Sequence, residues 1–115
     1  MPIDLVIGDA ELVVRLDGTV PDGGALTEDG GLLISCYRPD RIYHLGADGS
    51  PAILAEDPQG TALAAPTNVC FAGRRLDRLI AANLGRWHLA VASTGLRRSP
   101  LHAPQQWALD ALVAA

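Results

Sequence analysis

Residues equipped for chemistry are few in this sequence, and fewer stand at a spacing that a reaction requires. Asp22 lies between Pro21 and Gly23, a tripeptide that by itself is a common turn, with the carboxylate bonding nearby backbone. Asn68 opens an apolar run, where its amide can cap the exposed end of a strand. Ser35, Ser50, Ser93 and Ser99 all fall outside a G-x-S-x-G elbow, so a serine nucleophile finds no support. Gly23-Gly24 and Gly30-Gly31 lack the flanking residues of a phosphate-binding loop. Cys36 and Cys70 sit in apolar runs with neither CxxC spacing nor a histidine at a metal-ligand interval; they read as buried free thiols ahead of a disulfide or metal site. His44 and His102 have no acidic or nucleophilic partner nearby in sequence and read as structural. Trp87 and His88 are adjacent and could frame a pocket, but along a strand they would point to opposite faces, leaving one of them as packing.

The elements that position these residues follow from composition. The 115-residue chain is 49% hydrophobic and 19% charged, which is globular and sized for one domain. Twelve glycines and eight prolines punctuate short runs of Leu, Ile, Val and Ala, the pattern of many short strands. The fold class is therefore all-β. A net charge of −4, with basic residues scattered apart from Arg74, Arg75 and Arg78 and the pair Arg97-Arg98, argues against nucleic acid, which needs a concentrated basic face. Those arginines read as solvated turn residues. The apolar runs fall well short of the roughly 18 residues of a membrane span, and the first eight residues carry no basic leader. A soluble, cytoplasmic protein without a membrane partner is expected.

The sequence also repeats. Asp22 and Asn68 are 46 residues apart, as are Leu33 and Leu79, and a period of roughly 40 to 50 residues marks the blades of a propeller. Each unit begins at a polar residue, runs through an apolar strand and a glycine- or aspartate-bearing turn, and continues into a second strand, residues 30–37 in one and 77–83 in the other. A third strand, Arg41-Ile42-Tyr43-His44-Leu45, matches the stretch from Arg86-Trp87-His88 to Val91. Asp48-Gly49 then marks a hairpin, and residues 51–56 supply a fourth strand. Residues 11–16 have the pattern of an outer strand belonging to a preceding blade. The layout is an incomplete blade over 1–20, blades over 21–60 and 61–103, and a tail over 104–115 in which Pro104 to Leu112 reads as a short helix. About two and a half blades leave open faces and edges. The chain is read as a fragment, with copies completing a ring as the lesser alternative, and self-association is expected.

Val20-Pro21-Asp22-Gly23, Cys36-Tyr37-Arg38-Pro39-Asp40-Arg41-Ile42-Tyr43, Ala65-Pro66-Thr67-Asn68-Val69 and Ala82-Asn83-Leu84-Gly85-Arg86-Trp87-His88 together resemble the gluconolactonase, regucalcin and SMP-30 family over roughly residues 11–102. The resemblance implies the C-terminal blades of a six-bladed β-propeller, with Asp22 at the start of an innermost strand, facing the central channel as a metal ligand and catalytic residue. A carboxylate is a hard oxygen donor suited to Ca²⁺ first, with Mg²⁺, Mn²⁺ or Zn²⁺ as alternatives. Asn68, equivalent to Asp22 in the next blade by the 46-residue offset, becomes a candidate substrate contact. The implied activity is metal-dependent hydrolysis of a small lactone, the metal polarising the carbonyl and acidifying a bound water while Asp22 relays a proton. The family completes its metal site with a glutamate from an early blade and an asparagine in a Pro-Asn-Gly context; neither motif occurs here. Gly24 stands where the family usually carries leucine or a similar apolar residue. Alone, then, the chain is expected to have little activity, the alternative being a non-catalytic fragment or binding module that associates through its open blade edges.

Overall fold

The structure is a computed structural model that describes residues 8–100 and 110–111. Among the described residues, seven strands pair antiparallel into two sheets. β1 (Val20–Leu26), β2 (Leu32–Tyr37), β3 (Arg41–Leu45) and β4 (Pro51–Glu56) form a four-stranded meander, and β5 (Pro66–Ala72), β6 (Arg78–Asn83) and β7 (Leu89–Ser93) a three-stranded one. The fold is thus all-β, and the first meander matches its expected limits. Its β3–β4 hairpin closes as Asp48-Gly49 predicts: Gly49 takes a φ of 84° that favours glycine, its N–H donates to Gly46 O at 2.9 Å, and Asp48 Oδ1 accepts from Ser50 N at 3.0 Å. Among the described residues, no helix is long and apolar enough to cross a membrane.

Two expected strands are absent. Residues 11–16 form no strand, and Leu12 and Val13 are 73% and 68% exposed; their strand-like apolar run finds no ladder to join. The second sheet has no fourth strand among the described residues. Instead, the chain after β7 crosses the hairpin ends of both sheets. Glu28 N donates to Arg97 O at 2.8 Å and Ser99 N to Leu26 O at 3.0 Å, while Arg98 N reaches Leu76 O at 3.0 Å and Arg97 Nε reaches Arg75 O at 2.9 Å. A strap replaces the outer strand because residues 96–99 bond across two hairpins rather than along β7. Of the tail expected to be helical, Asp110 and Ala111 are helical; the remainder, like His102, lies outside the described residues.

The pairing registers refine the repeat. β1 pairs with β2 through Pro21↔Cys36 and Gly24↔Ile34, a bulge that sets Asp22 and Gly23 against Ser35. β5 pairs with β6 through Pro66↔Asn83, Asn68↔Ala82 and Val69↔Ala81, with the same kind of bulge at Thr67. These pairs coincide when β1 maps onto β5 with an offset of 45 residues and β2 onto β6 with an offset of 47. Leu32↔Leu45 likewise maps onto Leu79↔Ala92 by 47 residues on both strands. The uniform offset of 46 is corrected: the β5–β6 connection carries two extra residues. Pro21 therefore corresponds to Pro66, Asp22 to Thr67 and Gly23 to Asn68. Arg86 and Trp87 move out of the third strand into the β6–β7 loop, where Trp87 is fully exposed.

This shift decides which faces meet. Side chains of directly paired residues share a face, so Ala25, Leu33 and Ile42 lie together on the first sheet. They pack against Val69, Phe71, Leu79 and Ala81 of the second, with Leu63 of the linker between the sheets, in one core. By the 45- and 47-residue offsets, Val69, Phe71, Leu79 and Ala81 are the counterparts of Gly24, Leu26, Leu32 and Ile34, on the opposite face of the first sheet. The two sheets accordingly stack head to tail, each presenting a different face to the contact. Buried Leu33 and Phe71 contribute on the order of 1.5–3 kcal/mol each by leaving water.

Candidate functional site

The sheets approach each other through β1 and β5, and the residues singled out from the sequence lie at the start of these strands. Asp22 is exposed in the β1 bulge, whose backbone is anchored where Ser35 Oγ donates to Gly23 O at 2.9 Å. Gly23 lies against the second sheet: a Cβ there would collide with the Asn68 amide and stand 2.6 Å from Thr67 O. The structure thus brings Asp22, Thr67 and Asn68 to one corner of the sheet pair. Thr67, the counterpart of Asp22, was not singled out from the sequence; its signal was the shared proline before it, at Pro21 and Pro66. Asn68 is exposed, and its Oδ1 accepts from Val69 N at 2.9 Å, the strand-capping role available to it.

A cation at this corner would need about six oxygen donors if it were calcium. The chain offers the Asp22 carboxylate, and the Asn68 oxygen already holds a backbone N–H. Among the described residues, no group of three or more His, Cys, Asp or Glu could hold a metal ion. The described residues at this corner do not by themselves make a metal centre, and no metal-dependent step is derived from their geometry.

Gly24, where the resemblance would place leucine, has a structural reason. A Cβ at Gly24 would lie 2.6 Å from Leu33 O, inside van der Waals contact with backbone that cannot yield without breaking the β1–β2 ladder.

The remaining candidates separate. Cys36 is buried and burial pushes its thiol pKa up; Cys70 is exposed, which corrects the reading of both as buried, because β5 lies at the edge of its sheet and Cys70 points away from the core. His88 leaves the strand for the loop before β7, where Nε2 lies 3.0 Å from Ala62 O. The Nε2 atom of His44 is buried without a hydrogen-bond partner, close against Gly31. A cleft of about 430 Å³ opens where β3 and β4 splay from β6 and β7; Ile42, Leu54, Ala55, Leu79 and Ala81 line it, and neither Asp22 nor Asn68 is among its lining residues.

A densely bonded carboxylate, Asp57, is one the sequence did not flag. Asp57 Oδ2 accepts from Thr61 N at 2.9 Å, Thr61 Oγ1 at 3.1 Å, Ala62 N at 2.6 Å and Leu63 N at 3.1 Å, and Oδ1 accepts from Gln59 N at 3.2 Å. These donors hold its pKa at about 2. Asn83 continues the scaffold, accepting from Ala64 N at 3.1 Å and donating to Ala62 O and His88 O, each at 3.2 Å. Asp-Pro-x-Gly at residues 57–60 was the available signal, an aspartate positioned to close a turn. Asp57 and Asn83 shape the linker between the sheets and carry no reactive geometry.

No family model, curated protein or solved structure matches this chain.

Proposed function

We propose that the chain is a pair of propeller blades of the gluconolactonase and regucalcin type, non-catalytic by itself, which contributes Asp22 and Asn68 to a channel that other blades complete. The observation that carries this reading is the head-to-tail stack joined at the Asp22–Asn68 corner: successive sheets repeat one register, bulge included, and meet through their first strands, the arrangement from which a ring of blades is built. The resemblance in sequence supplies the chemistry, hydrolysis of a small lactone, and Asp22 as the carboxylate a divalent cation would use once further ligands surround it.

The test pairs two measurements. Calcium titration of the chain by calorimetry should show at most millimolar affinity, as expected for an isolated exposed carboxylate, and lactone hydrolysis should not exceed the buffer rate. Fused to four blades of a gluconolactonase, the chain should support turnover that Asp22→Ala removes while the circular dichroism stays unchanged. Turnover retained with alanine at position 22 would sink the assignment of Asp22, and an active isolated chain would sink the non-catalytic reading.

A further inference from the structure

The second sheet has one covered face and one open face. The open face carries Cys70 on β5, Ile80 on β6, and Leu89 and Val91 on β7, which share a side by register. Leu89 and Val91 are 62% and 52% exposed, and Cys70, Ile80 and Leu89 border a shallow depression on this surface. By the structural repeat, Cys70, Ile80 and Leu89 are the counterparts of Ala25, Leu33 and Ile42. Those residues are packed under a neighbouring sheet, Leu33 at 0% and Ile42 at 3% exposure. The same face is therefore closed in one unit and open in the next.

What closes it is also written in the molecule. The covering residues Phe71 and Leu79 are the counterparts of Leu26 and Leu32, which lie on the far face of the first sheet with Tyr43 and Ile53. Leu26 and Ile53 are 59% and 47% exposed. Each chain thus holds an unfilled receiving face at one end and the matching apolar face at the other, on which Leu26 and Ile53 stay exposed while Ile34 and Leu45 are already buried. We propose that the open face of the second sheet docks the first sheet of a second copy of this chain, head to tail, by repeating the contact made inside the chain. Such a contact is heterologous, so a bound copy still presents a free receiving face and growth continues until a ring closes or a filament forms. The proposal is independent of any lactone chemistry.

Charge reversal of apolarity at each end gives the test, read by analytical ultracentrifugation of the full chain, with circular dichroism to confirm that the exposed substitutions leave the sheets intact. The unaltered chain should form species larger than a dimer as concentration rises. Leu89→Glu with Val91→Glu blocks the receiving face, and Ile53→Glu blocks the docking face; each should raise the concentration needed for association by about tenfold or more, since a carboxylate would be buried unpaired. Mixed together, the two variants should recover a 1:1 complex that cannot grow, because each retains one working end. A monomer at every concentration would overturn the proposal. A dimer sensitive to Leu89→Glu and Val91→Glu but indifferent to Ile53→Glu would overturn it in favour of like faces meeting. Association that survives both sets of substitutions would overturn it in favour of strand edges.

Discussion

Gly23 and Asn68 are in contact across the two sheets so closely that no side chain fits at position 23. Because a Cβ would meet both the Asn68 amide and Thr67 O, the latter at 2.6 Å, the glycine sets how near β1 comes to β5.

Gly23→Ala should therefore destabilise the fold by about 1–3 kcal/mol, the usual cost of overpacking, visible as a lower urea midpoint. Adding Asn68→Ala should recover only part of the loss, since the backbone oxygen remains. An unchanged midpoint in the single variant would refute the close approach.

Gly24→Leu, which would restore the residue that the resemblance leads one to expect, should be destabilising rather than neutral. The collision is with Leu33 O at 2.6 Å, so the β1–β2 ladder must open. Hydrogen exchange at Ile34 N and its neighbours would accelerate; protection equal to that of the unaltered chain would count against the geometry.

Asp57 gives a pH dependence with a definite sign. Its carboxyl is held at about 2 in the folded chain against an ordinary value of 3.8, so the unfolded chain binds the proton first. The resulting stabilisation is fully present above about pH 5 and is lost as pH falls from there through about 2. Thermal melts from pH 6 to pH 2 should show this decline, and Asp57→Asn should lower the melting temperature at neutral pH while flattening the acid limb. An acid limb as steep in the variant would assign the decline to other carboxylates.

The two thiols should differ in reactivity. Cys70 is exposed while Cys36 is buried with its pKa raised, so maleimide should modify one site in the folded chain and two in urea. If copies dock through the second sheet, Cys70 labelling slows as concentration rises. Equal labelling of both thiols in the native state would contradict the burial of Cys36.

Most of the strand plan was legible because glycine, proline and aspartate punctuate it: β1 through β4 follow from Pro-Asp-Gly, Gly30-Gly31 and Asp48-Gly49. The offset was not. Leu33 with Leu79 and Leu33 with Ile80 are equally good apolar matches, yet a one-residue slip exchanges the faces of a strand, and only the ladder, bulge included, distinguishes them. The same slip placed Asn68 opposite Asp22 and set Trp87 in a strand. Residues 11–16 show the complementary limit, since a short run rich in Val and Leu marks a segment able to join a sheet without supplying the neighbour that would accept it. At the candidate site, Asp22 was found by residue type and resemblance and Asn68 by the 46-residue offset, whereas Thr67, the counterpart of Asp22, required the register. Asp57 was missed because four of its five donors are backbone N–H groups, which carry no residue identity.

The strap at residues 96–99 has a consequence for synthesis. It follows both meanders in the chain, and it is the segment whose backbone bonds to the β1–β2 hairpin at Leu26 and Glu28 and to the β5–β6 hairpin at Leu76. As the polypeptide leaves a ribosome, each hairpin can pair locally as soon as its own strands have emerged, but the clasp between them waits for these later residues. When the chain has emerged through Ser93 but not yet through Leu96, it can hold two formed sheets joined by linker and apolar packing, and the emergence of the next few residues fastens them.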